Sequence, residues 1–112
     1  MFSYDSIEQY HSDLENGSTT CLAAVEHYLH AIEACRHLNA YVRVYGDEAK
    51  ERAKQLDATR SRNKPKGKLH GVVISIKDVI CYKDHPVSAA SNILKGFVSI
   101  YNATAVERLL AE

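Results

Sequence analysis

The chain has 112 residues, 46% of them apolar and 25% charged, which is enough for one hydrophobic core and hardly for two. Fourteen Lys and Arg balance fourteen Asp and Glu, so net charge offers no argument for a nucleic-acid or membrane-surface protein. The longest apolar run, Cys21 to Val25, falls far short of the roughly 18 residues of a membrane span, and Asp5 and Glu8 stand where a secretory signal places positive charge.

In chain order, Ile7, Tyr10 and Leu14 recur at helical spacing between Ser6 and Asn16, and Gly17 supplies a left-handed stop. Ser18, Thr19 and Thr20 are N-cap candidates for a longer helix whose stripe runs through Leu22, Val25, Leu29 and Ile32 and ends near His37. Tyr41, Val42, Val44 and Tyr45 crowd the segment from Asn39 to Tyr45, and their β-branched and aromatic side chains predict a short strand. Gly46 breaks it, and Asp47 is placed to cap a third helix reaching Leu56, with Ala49, Ala53 and Leu56 turned inward. That stripe is thin, so the helix belongs at the edge of a core.

From Arg60 to Lys68 five of nine residues are basic, with Pro65 and Gly67 interrupting regular structure. Clustered cations can hold phosphate or RNA. With no aromatic interleaved for base stacking, a solvated loop is the plainer reading. Val72 to Ile76 is a β-branched run too short for a helix, and it predicts a buried, central strand. An irregular stretch from Val79 to Tyr101 precedes a last helix opened by Asn102 or Thr104, with Val106, Leu109 and Leu110 inward and no stop signal before Glu112. These elements suggest a helical segment with one short strand at 1–58, a basic loop at 59–68 and the start of a larger core at 69–112.

Three cysteines, Cys21, Cys35 and Cys81, are odd in number and lack a C-x-x-C pair, which disfavours a disulfide framework or a zinc module and fits a reducing compartment. Glu26, His30, Glu33 and His37 recur at three- and four-residue steps, a spacing able to bind metal. They lie away from the apolar stripe, as a solvated face does. The other histidines, His11, His27, His70 and His85, are scattered and expected at the surface or in loops, and the seven tyrosines are expected at the rim of the core.

Strand alternation puts Val73, Ser75 and Lys77 on one face, so a lysine leaves the carboxyl end of the expected strand. Desolvation of an ammonium favours the neutral amine, and a neutral amine is a general base. The alternative is that Lys77 merely marks where the strand reaches solvent. Asp78 is suited to holding the strand-end loop by accepting backbone N–H groups.

The string Gly67-Lys68-Leu69-His70-Gly71-Val72-Val73-Ile74-Ser75-Ile76-Lys77-Asp78 resembles the G-x-L-x-G-(V/I)-x-(I/V)-x-(I/V)-K-D opening of amidase signature enzymes. Ile80-Cys81, Ala89-Ala90-Ser91 and Tyr101 to Leu109 are similar to its continuation, in which a small-residue-plus-Ser segment precedes a D-A-T-x-V-x-R-L helix. The leading helix, the Leu38-to-Val42 segment and the helix from Asp47 also correspond, so the resemblance spans nearly the whole chain. It is nearest to the A subunits of glutamyl-tRNA(Gln) amidotransferases.

The resemblance implies an α/β fold: the N-terminal part of the amidase-signature architecture, helices followed by the first strands of a mixed central sheet. It implies that Lys77 is the base of a Ser-cisSer-Lys triad whose two serines lie beyond Glu112. Ser75, Ser88, Ser91 and Ser99 stand in no matching Gly/Ser-rich context, and Ser75 is expected to be a small residue for close packing. It further implies a glutaminase that releases ammonia for conversion of Glu-tRNA(Gln) to Gln-tRNA(Gln), working with the B and C subunits, in the cytoplasm or in an organelle after processing. This chain would hold no cofactor, ATP and Mg being used by the partner subunit, and alone it would be an inactive fragment. Val79 and Asp84-His85-Pro86 depart from the pattern of those A subunits, which keeps a stand-alone hydrolase of a small amide open. A non-catalytic helical binding module is the reading of another class.

Overall fold

A computed structural model describes residues 3–60 and 67–112. Four α-helices, α1 (Ile7–Glu15), α2 (Cys21–Ala34), α3 (Gly46–Arg60) and α4 (Thr104–Ala111), are joined by irregular chain and two 3₁₀ turns, Arg36–Leu38 and Asn92–Leu94. The chain forms two compact units, residues 1–73 and 74–112.

Helices α1 and α2 begin where side chains satisfy the exposed N–H groups of a first turn, whereas α3 begins at Gly46, so that Asp47 lies in its first turn and not at the expected cap position. The Ser6 hydroxyl accepts the Gln9 N–H at 3.1 Å and starts α1. Gly17, at φ 79°, turns the chain beyond its end. The Thr20 hydroxyl accepts the Ala23 N–H at 3.0 Å and starts α2. A second cap reaches α2 from α3: the Asp57 carboxylate accepts the N–H groups of Cys21 and Leu22 at 2.8 and 3.1 Å. The helix α2 ends at Ala34, and the chain continues through the Arg36–Leu38 turn to Asn39, which is left-handed at φ 50°.

The core of this unit joins Tyr10 and Leu14 of α1, Cys21, Ala24 and Val25 of α2, and Ala53 of α3, flanked by half-buried Tyr4, Leu22, Leu29, Ala49, Leu56, Val72 and Val73. Tyr10 lies at its centre rather than at its rim, 1% exposed, with its hydroxyl donating to the Gly71 carbonyl at 2.9 Å. Its ring stacks on Tyr4 at 4.9 Å between centroids. Burial pushes the Tyr10 phenol well above its usual range. His70 is likewise buried, not at the surface; it sits in a turn whose carbonyl contacts His11 Nε2 at 3.0 Å, which places the ring proton on that nitrogen.

The strand expected over Asn39 to Tyr45 does not form: Tyr41, Val42, Val44 and Tyr45 are all exposed and irregular. The strand expected over Val72 to Ile76 does not form either. Val72 and Val73 pack on the first core, Ile74 and Ile76 are exposed, and the boundary between the two units falls inside the segment. A strand is stabilised by pairing with a neighbouring strand, and among the described residues no strand forms beside either segment. Exposed Ser75 therefore has no close-packing role here. The basic loop falls largely on residues 61–66, outside the described residues; Arg60 ends α3 and Lys68 lies exposed in a turn.

In the second unit, residues 81–87 run antiparallel to 97–103. The Asp84 N–H donates to the Ser99 carbonyl at 2.8 Å, and the Ser99 N–H returns to the His85 carbonyl at 3.0 Å. Ala103 donates to Cys81 at 2.8 Å and Val87 to Phe97 at 3.2 Å, with a single bridge between Pro86 and Val98. Asn102 does not cap α4; its side chain accepts the Lys83 N–H at 2.7 Å. Ala103 occupies the cap position, Val106 is the buried residue of α4, and Leu110 faces outward.

Candidate functional site

The residue with the strongest chemical expectation, Lys77, is exposed at the start of a tight turn in which its carbonyl accepts the Ile80 N–H at 2.9 Å. Its side chain thus leaves the backbone where the extended segment ends. The next residue is deeply engaged. The Asp78 carboxylate accepts the Ser88 N–H at 3.2 Å and also the Ser88 hydroxyl, while the Asp78 carbonyl accepts the Ala89 N–H at 3.1 Å. Asp78 therefore holds a loop through backbone N–H groups, as its side-chain chemistry leads one to expect.

The loop it holds is strained. Ala89 and Ala90 have φ of 49° and 56°, a left-handed conformation that costs a residue with a Cβ about 1–2 kcal/mol. Two such residues in succession persist only where neighbouring bonds over-determine the backbone, and such strain gathers at functional sites. The bonds are present on both sides: Asp78 clasps Ser88 and Ala89, and the Ser91 N–H donates to the Ser88 carbonyl at 2.8 Å. Ser91 then accepts the Ile93 N–H and opens the Asn92–Leu94 turn.

The antiparallel pairing also brings together Cys81, Ser99 and Tyr101, which no short-range motif announces. Hydrogen bonding with Tyr101, and then with Ser99, holds the Cys81 thiol below its ordinary range, and hydrogen bonding with Cys81 raises the Tyr101 phenol. Ser99 is fully buried and donates its hydroxyl to the Tyr101 carbonyl at 2.6 Å, so it closes the backbone rather than offering a nucleophile.

Glu26, His30, Glu33 and His37 are all exposed, and Glu33 pairs with Arg36 at 3.4 Å on the helix surface. Among the described residues no group of three or more His, Cys, Asp or Glu side chains is placed to hold a metal ion. Cys21, Cys35 and Cys81 form no disulfide, and Cys21 is buried in the first core.

The profile of the family described as Amidase matches residues 23–112, from the start of α2 through Lys77, the strained turn and α4. The chain belongs to the amidase family. The chain is 39% identical over 109 residues to the A subunit of the glutamyl-tRNA(Gln) amidotransferase from Chlorobaculum tepidum, covering 97% of this chain and 23% of that protein. It is 47% identical over 90 residues to the mitochondrial A subunit from Anopheles gambiae, covering 80% of this chain and 18% of that one. For the A subunit from Salinibacter ruber the identity is 40%, over 86% of this chain and 19% of the relative. The chain thus spans less than a quarter of the length of these curated relatives. No described helix is long and apolar enough to cross a membrane.

Proposed function

We propose that this amidase segment serves the glutaminase subunit of a glutamyl-tRNA(Gln) amidotransferase, within a protein of the relatives' length. The observation that carries the reading is the match of nearly the whole chain to A subunits at about 40% identity. Lys77 is the general base: its amine takes a proton, through a bridging serine, from a nucleophilic serine that attacks the carboxamide of glutamine. A hydroxyl is a poor nucleophile at its own pKa and needs such an adjacent base. The acyl-enzyme forms as ammonia leaves, and water releases glutamate. Both serines belong to sequence outside this chain, as do the partner strands that would complete Asn39–Tyr45 and Val72–Ile76 as the first strands of a mixed sheet.

In this reading the partners are the B and C subunits, ammonia passes to the transamidation of Glu-tRNA(Gln), and ATP and Mg act on the partner subunit, in the cytoplasm or an organelle. Val79 and the Asp84-His85-Pro86 turn favour the second reading, a stand-alone hydrolase of a small amide. The test is ammonia release by the full-length protein, measured with glutamine and with a panel of small amides, with and without the B and C subunits. Release from glutamine that rises with the partners and yields Gln-tRNA(Gln) supports the first reading. Turnover of a small amide without glutamine hydrolysis overturns it in favour of the second.

A further inference from the structure

We infer that Asp78 is a positioning residue for Lys77, acting through a clasp on the Ser88-Ala89-Ala90 turn. The inference rests on the reading of Lys77 as the base and deepens it. Lys77 and Asp78 are consecutive, and the Lys77 carbonyl accepts the Ile80 N–H. Asp78 adds further ties on the same, carboxyl-terminal side of the lysine. Its two carboxylate oxygens take the Ser88 N–H and the Ser88 hydroxyl, and its carbonyl takes the Ala89 N–H. Three bonds from one residue thus join the root of the lysine to a turn ten residues further along the chain.

The turn is not a passive anchor. With Ala89 and Ala90 both left-handed, it has a backbone that relaxes once its ties are cut. Relaxation there moves Asp78, and with it the Cα from which Lys77 projects. A base displaced by about 1 Å loses on the order of a hundredfold in rate, whereas binding of an amide elsewhere in the site is untouched. Asp78 therefore acts on turnover and not on substrate affinity.

The experiment is a steady-state comparison of full-length variants, with folding monitored by circular dichroism and thermal melting. Asp78→Ala is expected to lower kcat by about tenfold to a hundredfold with KM within about twofold. Asp78→Asn keeps an oxygen for the Ser88 N–H and is expected to recover most of kcat. Ser88→Ala deletes one hydroxyl and is expected to lower kcat in the same direction by less. The Asp78→Ala/Ser88→Ala pair is expected to be no worse than Asp78→Ala alone, because both cut one clasp. If Asp78→Ala does not fold, Ser88→Ala carries the test, and a drop in kcat at unchanged KM is still required. Full kcat in folded Asp78→Ala, beside an inactive Lys77→Ala, overturns the clasp and leaves Lys77 as the base. Ordinary turnover in Lys77→Ala overturns both.

Discussion

Gly71 shows how much a single backbone position can carry. At φ 74° it adopts a conformation that side chains resist, and a Cβ built there would stand 2.6 Å from the Cys21 sulfur and 3.0 Å from the Tyr10 hydroxyl. The same residue's carbonyl accepts the Tyr10 hydroxyl, so the close approach lets a buried phenol find its partner. Gly71→Ala therefore meets both backbone strain and overpacking, and is expected to destabilise by about 2–4 kcal/mol. Gly17 has a similar φ of 79° with open space around it, so Gly17→Ala is expected to cost only the strain, about 1–2 kcal/mol. Urea midpoints of the two variants decide the matter, and equal losses would contradict the packing argument.

The helices were legible because their signals are local. Gly17, Thr20 and the Leu14, Val25, Ala53 pattern lie within a few residues of what they control, and each acts as read. The strands were not realised because pairing is non-local. Val42 and Ile76 have the side chains of strands but, among the described residues, no neighbouring segment to complete a ladder. Asp57 marks the opposite failure of reading: nothing in its helical surroundings announces that it caps α2 from α3. Asp57→Ala removes acceptors from two N–H groups at a helix start and is expected to destabilise by about 1–2 kcal/mol. Thr20→Ala, which removes a single acceptor, is expected to cost less than Asp57→Ala. Thermal melting of both variants checks this, and an Asp57→Ala melting temperature at or above that of Thr20→Ala would contradict it.

At the scale of the whole molecule, the site was legible in part. The loop-holding role of Asp78 followed from residue type and position, while Ser88 as its partner and the Cys81, Ser99 and Tyr101 group required the fold. Residues ten or twenty positions apart carry no sign of their meeting until the chain turns back at Ala89 and Gly96. Membership of the amidase family rests on the profile spanning residues 23–112, and the chemistry proposed for that family segment converges on one side chain. Lys77 is exposed, so its replacement need not disturb either compact unit. The decisive quantity is kcat/KM for glutamine hydrolysis by full-length protein carrying Lys77→Ala, with melting temperature as the control. Loss of about 10²–10⁴-fold or more at an unchanged melting temperature is the predicted result for removal of a general base. Turnover at the level of the unaltered protein would contradict it.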